Sequence, residues 1–119
     1  MEDKSSKIKS IHGKATKAAF RGDLDISIDL LNNAISIARE IGDNNMEAHL
    51  FEIIAACSRG KEEYDLALNY FKKSLRFYEQ IDDKTAIVDI NSEIGITYAE
   101  SGTIDEAETN LKKAILLEK

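Results

Sequence analysis

Apolar residues recur at intervals of three and four, as at Leu24, Ile28, Leu31 and Ile35. That spacing lays side chains along one stripe of an α-helix rather than along a strand. The pattern returns after forty residues. Shifted by forty, Leu24 meets Tyr64 and Ile104, Leu31 meets Phe71 and Leu111, Ala34 meets Ser74 and Ala114, Ile35 meets Leu75 and Ile115, and Ile37 meets Phe77 and Leu117. Asp3, Asp43 and Asp83 share one column, and Asp25, Asp65 and Asp105 share another. Self-similarity at such a period marks stacked supersecondary units that bury their faces against one another. Three copies, 1–40, 41–80 and 81–119, fill the 119 residues as one domain with no linker between them.

Each copy is expected to hold two helices. Gly22 in the first copy, the stretch Gly60 to Glu63 in the second and Gly102 in the third mark the break between them, because glycine permits the left-handed end of a helix. Asp3, Asp43 and Asp83 stand where N-caps of the first helices belong, and Asp25, Asp65 and Asp105 fall in the first turn of the second helices, where the helix dipole favours acids. Thr103 with Glu106 forms a capping-box pattern. The six aspartates therefore read as helix punctuation and not as a catalytic set.

The third copy, IGITYAESGTIDEAETNLKKAILLEK, resembles the tetratricopeptide repeat, with Ile94, Gly95, Tyr98, Gly102, Ala107, Leu111 and Ala114 in the places of that family's pattern. The second copy matches through Phe51, Ile54, Ala55, Tyr64, Ala67, Phe71 and Ser74, and the first through Ala15, Ala18, Gly22, Leu24, Leu31 and Ala34. The resemblance implies an all-α fold, a right-handed α-solenoid of three helix-turn-helix repeats with about six helices. Each copy exceeds the family's usual unit by about six residues. The surplus falls around AREIGDNNMEA and YEQIDDKTAIV, and longer helices are the expected result.

Composition narrows the function. A net charge of −6 opposes a general affinity for phosphate backbones, so nucleic acid is not an expected partner. No run approaches the ~20 apolar residues of a membrane span, so no membrane is expected either. The single Cys57 cannot close an internal disulfide, and a reducing, cytoplasmic setting follows as the expectation. In its IIAACS setting the thiol reads as a small buried hydrophobe. No phosphate loop, nucleophile elbow or zinc-ligand spacing occurs. His12, His49 and Glu52 could be imagined around a metal, but a structural zinc site needs four ligands. The expectation is a protein that is not an enzyme, with no cofactor and no metal.

In the family this chain resembles, the first helix of each repeat lines a concave groove that holds a partner. The positions implied are Lys9, His12, Thr16, Ala19 and Phe20 in the first copy; His49, Glu52, Ala56, Arg59 and Gly60 in the second; and Asp89, Ser92, Ile96, Ala99 and Glu100 in the third. Net charge runs +1, −2 and −5 over the three copies, a gradient that would orient a bound peptide. Co-chaperone members of the family clamp a terminal carboxylate with Lys, Arg and Asn side chains. The matching positions here are His12 and Thr16, Ile53, and Asp89 and Glu93, so two acids stand where bases are needed. Binding of a chaperone tail is excluded on that ground.

Repeat arrays usually end in a helix with a polar outer face. Here ILLEK is apolar, and Leu116 occupies a column that holds Ser36 and Arg76 elsewhere. The expected cover for Leu111, Ile115 and Leu116 is a second copy, giving a homodimer through the C-terminal repeat, or a further repeat of a longer protein. The expected function is a scaffold or adaptor that binds a partner protein's peptide or helix in the groove. The alternative is a structural self-assembly unit, with the groove or last repeat packed on another copy.

Overall fold

The computed structural model describes residues 3–118 and contains six helices: α1 (Lys4–Phe20), α2 (Leu24–Glu40), α3 (Asn44–Gly60), α4 (Tyr64–Gln80), α5 (Lys84–Glu100) and α6 (Ile104–Leu117). No strand occurs among the described residues. The repeat limits expected at residues 1 and 119 lie outside them. The first five helices have seventeen residues each, roughly 25 Å at the rise of an α-helix. The molecule measures 50 × 32 × 17 Å. Each helix packs mainly on its neighbours in sequence, and the architecture is an all-α helical-repeat solenoid.

The turns within and between repeats are of one kind. All five connections have three residues, and in each the last residue's amide reaches back to a carbonyl in the preceding helix: Asp23 to Ala18 and Asp43 to Ala38 at 2.9 Å, Glu63 to Ser58 at 2.9 Å, Asp83 to Tyr78 at 3.1 Å and Thr103 to Tyr98 at 2.9 Å. This is the Schellman closure, which satisfies carbonyls that a helix end would orphan. It requires a left-handed residue in the middle of the turn. Gly22 and Gly102 meet the requirement at φ of 84° and 87°, but Glu62 and Asp82 also adopt it, at 63° and 54°.

In the second copy the break falls at residues 61–63, inside the expected Gly60 to Glu63 stretch, but Gly60 does not supply its left-handed residue. Gly60 ends α3, and the left-handed residue is Glu62. Gly60 instead permits close packing, since a Cβ there would lie 3.3 Å from Leu24 Cδ1.

Asp3, Asp43 and Asp83 cap the first helices by accepting from the amides of Ser6 at 2.7 Å, Met46 at 3.0 Å and Ala86 at 3.1 Å. The Ser6 amide also holds the Asp3 carboxyl below its ordinary pKa. Asp25, Asp65 and Asp105 lie in the first turns of α2, α4 and α6. The capping box does not form. Thr103 is the N-cap of α6 but makes no capping bond. Its hydroxyl lies 2.9 Å from that of Ser101, which also donates to the Tyr98 carbonyl at 2.8 Å.

The core runs between repeats as two clusters. One gathers Ile8, Ile11, Leu31, Leu50, Phe51 and Ile54, and the other Ala67, Leu68, Phe71, Ile90 and Ile94. Small residues let the paired helices approach closely. Where serine replaces alanine in those columns, its hydroxyl ties one helix to the next: Ser27 donates to Ala15 O at 2.9 Å and Ser74 to Ala48 O at 2.8 Å.

Candidate functional site: the face of α1, α3 and α5

Helical geometry divides each odd-numbered helix into two arcs. On α3, His49, Glu52, Ala56 and Gly60 fall within one arc of the helix, while Glu47, Phe51 and Ser58 lie on the opposite arc. The second set is buried and the first is exposed or half-buried. The same division holds on α1, where Lys9, Thr16 and Phe20 are exposed and His12 and Ala19 half-buried, and on α5, where Asp89, Ile96, Ala99 and Glu100 are exposed and Ser92 half-buried.

Side chains join the three helices across this face. The rings of His12 and His49 stack with centroids 5.7 Å apart and planes inclined by 25°. They border a hollow of about 150 Å³ with Ile8, Lys9 and Met46. Further along, Ala15, Thr16, Ala19, Phe20, Ser27 and Ile53 line a second hollow of about 270 Å³. Phe20 is 88% exposed at its rim. Thr16 spends its hydroxyl on the carbonyl of His12, at 2.9 Å.

Between α3 and α5 the contacts are ionic. Arg59 Nη1 is 2.6 Å from Glu93 and 3.4 Å from the Thr97 hydroxyl, its Nε is 3.9 Å from Glu100, and its guanidinium carbon is 5.7 Å from the centre of the Phe71 ring. Arg59 is thus committed to bracing two repeats. Lys9 stands at the α1 edge of this face, with His12 on α1 and His49 on α3 beside it. Glu52 is half-buried, and its carboxyl pKa is raised, first by desolvation and then by the nearby charges of Glu93 and Asp89, with the Tyr78 hydroxyl working the other way. Burial, reinforced by the charges of Glu52 and Asp83, pushes the Tyr78 phenol up to about 12.

Ile53 and Glu93, which the sequence suggests only as clamp positions, belong to the same surface. Their places next to His49 and Asp89 in the helical period are the signal that marks them. Cys57 is buried, with its sulfur 3.7 Å from the Ser27 hydroxyl. Among the described residues, no group of three or more His, Cys, Asp or Glu could hold a metal ion. No helix there is long and apolar enough to cross a membrane.

Six helices paired by uniform turns, with one exposed face built from alternate helices, define a helical-repeat solenoid protein. A family profile described as tetratricopeptide repeat matches residues 12–80, more than half of the chain. The chain belongs to the tetratricopeptide repeat family. No curated protein matches it. Among solved structures, the TPR domain of Arabidopsis FLU is similar with a TM-score of 0.87 at 16% identity over 96% of each chain. Aspartyl phosphate phosphatase F from Bacillus subtilis gives a TM-score of 0.90 at 17% identity, covering 98% of this chain and 31% of that one. BtubC (BKLC) from P. vanneervenii gives 0.86 at 16%, covering 98% of this chain and 48% of that one. The chain thus spans about half the length of BtubC. At such identities the likeness establishes the fold.

Proposed function

We propose that this chain is a non-catalytic interaction scaffold whose α1, α3 and α5 face receives a peptide or helix of a partner protein, with residues 1–119 acting as one domain. The observation that carries the reading is Glu52, a half-buried carboxylate set among Asp89 and Glu93 and on the same face as the hollow under Phe20 and Ile53. Arg59 already matches Glu93, but among the described residues no basic side chain lies within 4.0 Å of Glu52 or Asp89; desolvated like charges are costly, and a partner's Lys or Arg would offset that cost. The hollow beside them suits one apolar side chain. The partner segment therefore carries an apolar anchor and a basic residue, with any acid it bears turned toward Lys9, His12 and His49. The acidic net charge supports a protein partner over nucleic acid. The lone buried cysteine supports a cytoplasmic setting.

A selection from displayed random peptides, followed by rebinding to a Phe20→Ala, Asp89→Lys variant, tests this. Both side chains are exposed, so the fold should be preserved, whereas changing Arg59 would disturb the repeat junction itself. Basic-apolar peptides should bind the variant at least about tenfold more weakly, a difference of ~1.4 kcal/mol. Equal binding would remove the site from this face.

A second reading, self-association through the last repeat, is favoured by one column. Leu31 and Phe71 are 0% and 1% exposed, but Leu111 is 36% exposed, with Ile115 at 56% and Leu116 at 67% beside it. A second copy covering this patch would form a homodimer. Sedimentation at high concentration tests it: a Leu116→Glu variant should dissociate, and a wild-type monomer throughout would contradict it.

A further inference from the structure

On the side of α3 away from the partner-binding face, a hollow of about 280 Å³ opens between α2 and α4, bordered by Arg39, Phe51, Lys73, Arg76, Phe77 and Gln80, with Glu47 at its edge. Its aromatic floor is continuous. Phe51 lies 6.3 Å from Phe77 and 5.8 Å from Tyr70, with ring planes inclined by less than 30°. Cations stand over it. Arg39 is held 5.7 Å from the Phe51 ring centre, and its Nε is fixed at 2.6 Å from the buried carboxylate of Glu47. Lys73 lies 5.6 Å from Phe51 and 5.3 Å from Tyr70. Neither Lys73 nor Arg76 has a carboxylate within 4.0 Å among the described residues.

Repeat architecture alone does not account for this combination. Forty residues on, Phe51 becomes Asn91, Arg39 becomes Glu79, Arg76 becomes Leu116 and Phe77 becomes Leu117. Of the cations only Lys73 recurs, as Lys113, so the aromatic floor with its two arginines occurs at one junction only. They also run against the net charge of −6 of the whole chain. The volume of about 280 Å³ falls just below the usual range of small-molecule sites, enough for one side chain and a neighbouring polar group but small for a nucleotide.

We infer that this hollow is a second docking site, which takes an acidic-apolar segment of a partner protein: an apolar side chain against Phe77, with an adjacent carboxylate between Lys73 and Arg76. Charge complementarity selects the acidic group, and the half-buried Phe77 beside the largely covered Phe51 offers the apolar contact. Lys73 and Arg76 supply the attraction, and Arg39 stays with Glu47 as part of the wall. The site is independent of the α1, α3 and α5 face, so either can fail while the other stands.

The test is an amide chemical-shift titration of the full chain with three capped tripeptides, Asp-Phe-Glu, Lys-Phe-Lys and Asp-Ala-Glu. The first should shift amides around Phe51, Lys73 and Phe77 with a dissociation constant on the order of a millimolar, and the other two should bind at least about fivefold more weakly. A Lys73→Glu, Arg76→Glu variant, with Lys73 half-buried and Arg76 exposed on α4, should lose the shifts and keep its helical circular dichroism, while Phe20→Ala should leave them intact. Equal binding of all three peptides, shifts confined to another surface, or no shift at saturating peptide would overturn the proposal. So would the same shifts appearing on raising protein concentration without peptide, because the occupant would then be a second copy.

Discussion

Gly95 offers a quantitative test of how the last repeat is packed. A Cβ at this position would lie 2.7 Å from Leu111 Cγ, 2.9 Å from its Cδ2 and 3.3 Å from the Ala107 carbonyl oxygen. Carbon atoms settle at about 3.5–4.0 Å, so Gly95→Ala forces Leu111 or the α5 and α6 backbones apart. Over-packing of this kind costs ~1–3 kcal/mol. Against it stands the better helix propensity of alanine, about 1 kcal/mol. The expected net effect is a loss of about 1 kcal/mol. Gly13 provides the control, since a Cβ there would meet nothing within 4 Å, and Gly13→Ala should gain up to about 1 kcal/mol. In a Leu111→Ala background the Cγ and Cδ2 contacts vanish, and Gly95→Ala should then become neutral or stabilising. Urea unfolding followed by far-UV circular dichroism gives the four values of the cycle, with an expected coupling of ~1–2 kcal/mol. If Gly95→Ala costs the same with and without the leucine, the close approach of α5 and α6 is wrong.

Other consequences follow from single residues. Glu62 holds a left-handed φ of 63°, which costs a non-glycine residue about 1 kcal/mol, so Glu62→Gly should raise the unfolding midpoint although glycine is the poorer helix former. Arg59→Gln leaves Glu93 and Glu100 without their shared cation and should cost about 1–2 kcal/mol, measured by the same unfolding assay. Glu52→Gln should stabilise the protein at neutral pH. The native carboxyl pKa is raised, so the folded state holds that proton more tightly than the unfolded one, and wild-type stability falls as pH rises through the raised value. Unfolding curves at several pH values should show the gain of the glutamine variant shrinking as pH drops through the ordinary carboxylate range.

The sequence made the repeat period visible because the same packing problem is solved three times: Asp3, Asp43 and Asp83 cap, and the columns through Leu31 and Ala34 bury. The exposed arcs of α1, α3 and α5 follow from the same period. What it hid were features without a local signal. Glu62 and Asp82 carry a left-handed turn that glycine usually announces. Thr103 and Ser101 share their hydroxyls, which the capping-box pattern does not reveal. Arg59 meets Glu93 thirty-four residues away, so a cation that reads as available for a ligand is spent on bracing two repeats. The hollow over Phe51 was illegible for the opposite reason: Phe51, Arg39 and Arg76 give way to Asn91, Glu79 and Leu116 in the next copy, so they break the columns instead of repeating them.

The most direct test of the central claim is to map a selected basic-apolar peptide onto the protein by amide chemical shifts. The expected perturbations run along α1, α3 and α5, at Lys9, Phe20, Glu52, Asp89 and Ile96, and spread beyond them only to Ser27 and Tyr78, which line the same face. Perturbations confined to α2, α4 or α6 would contradict the claim.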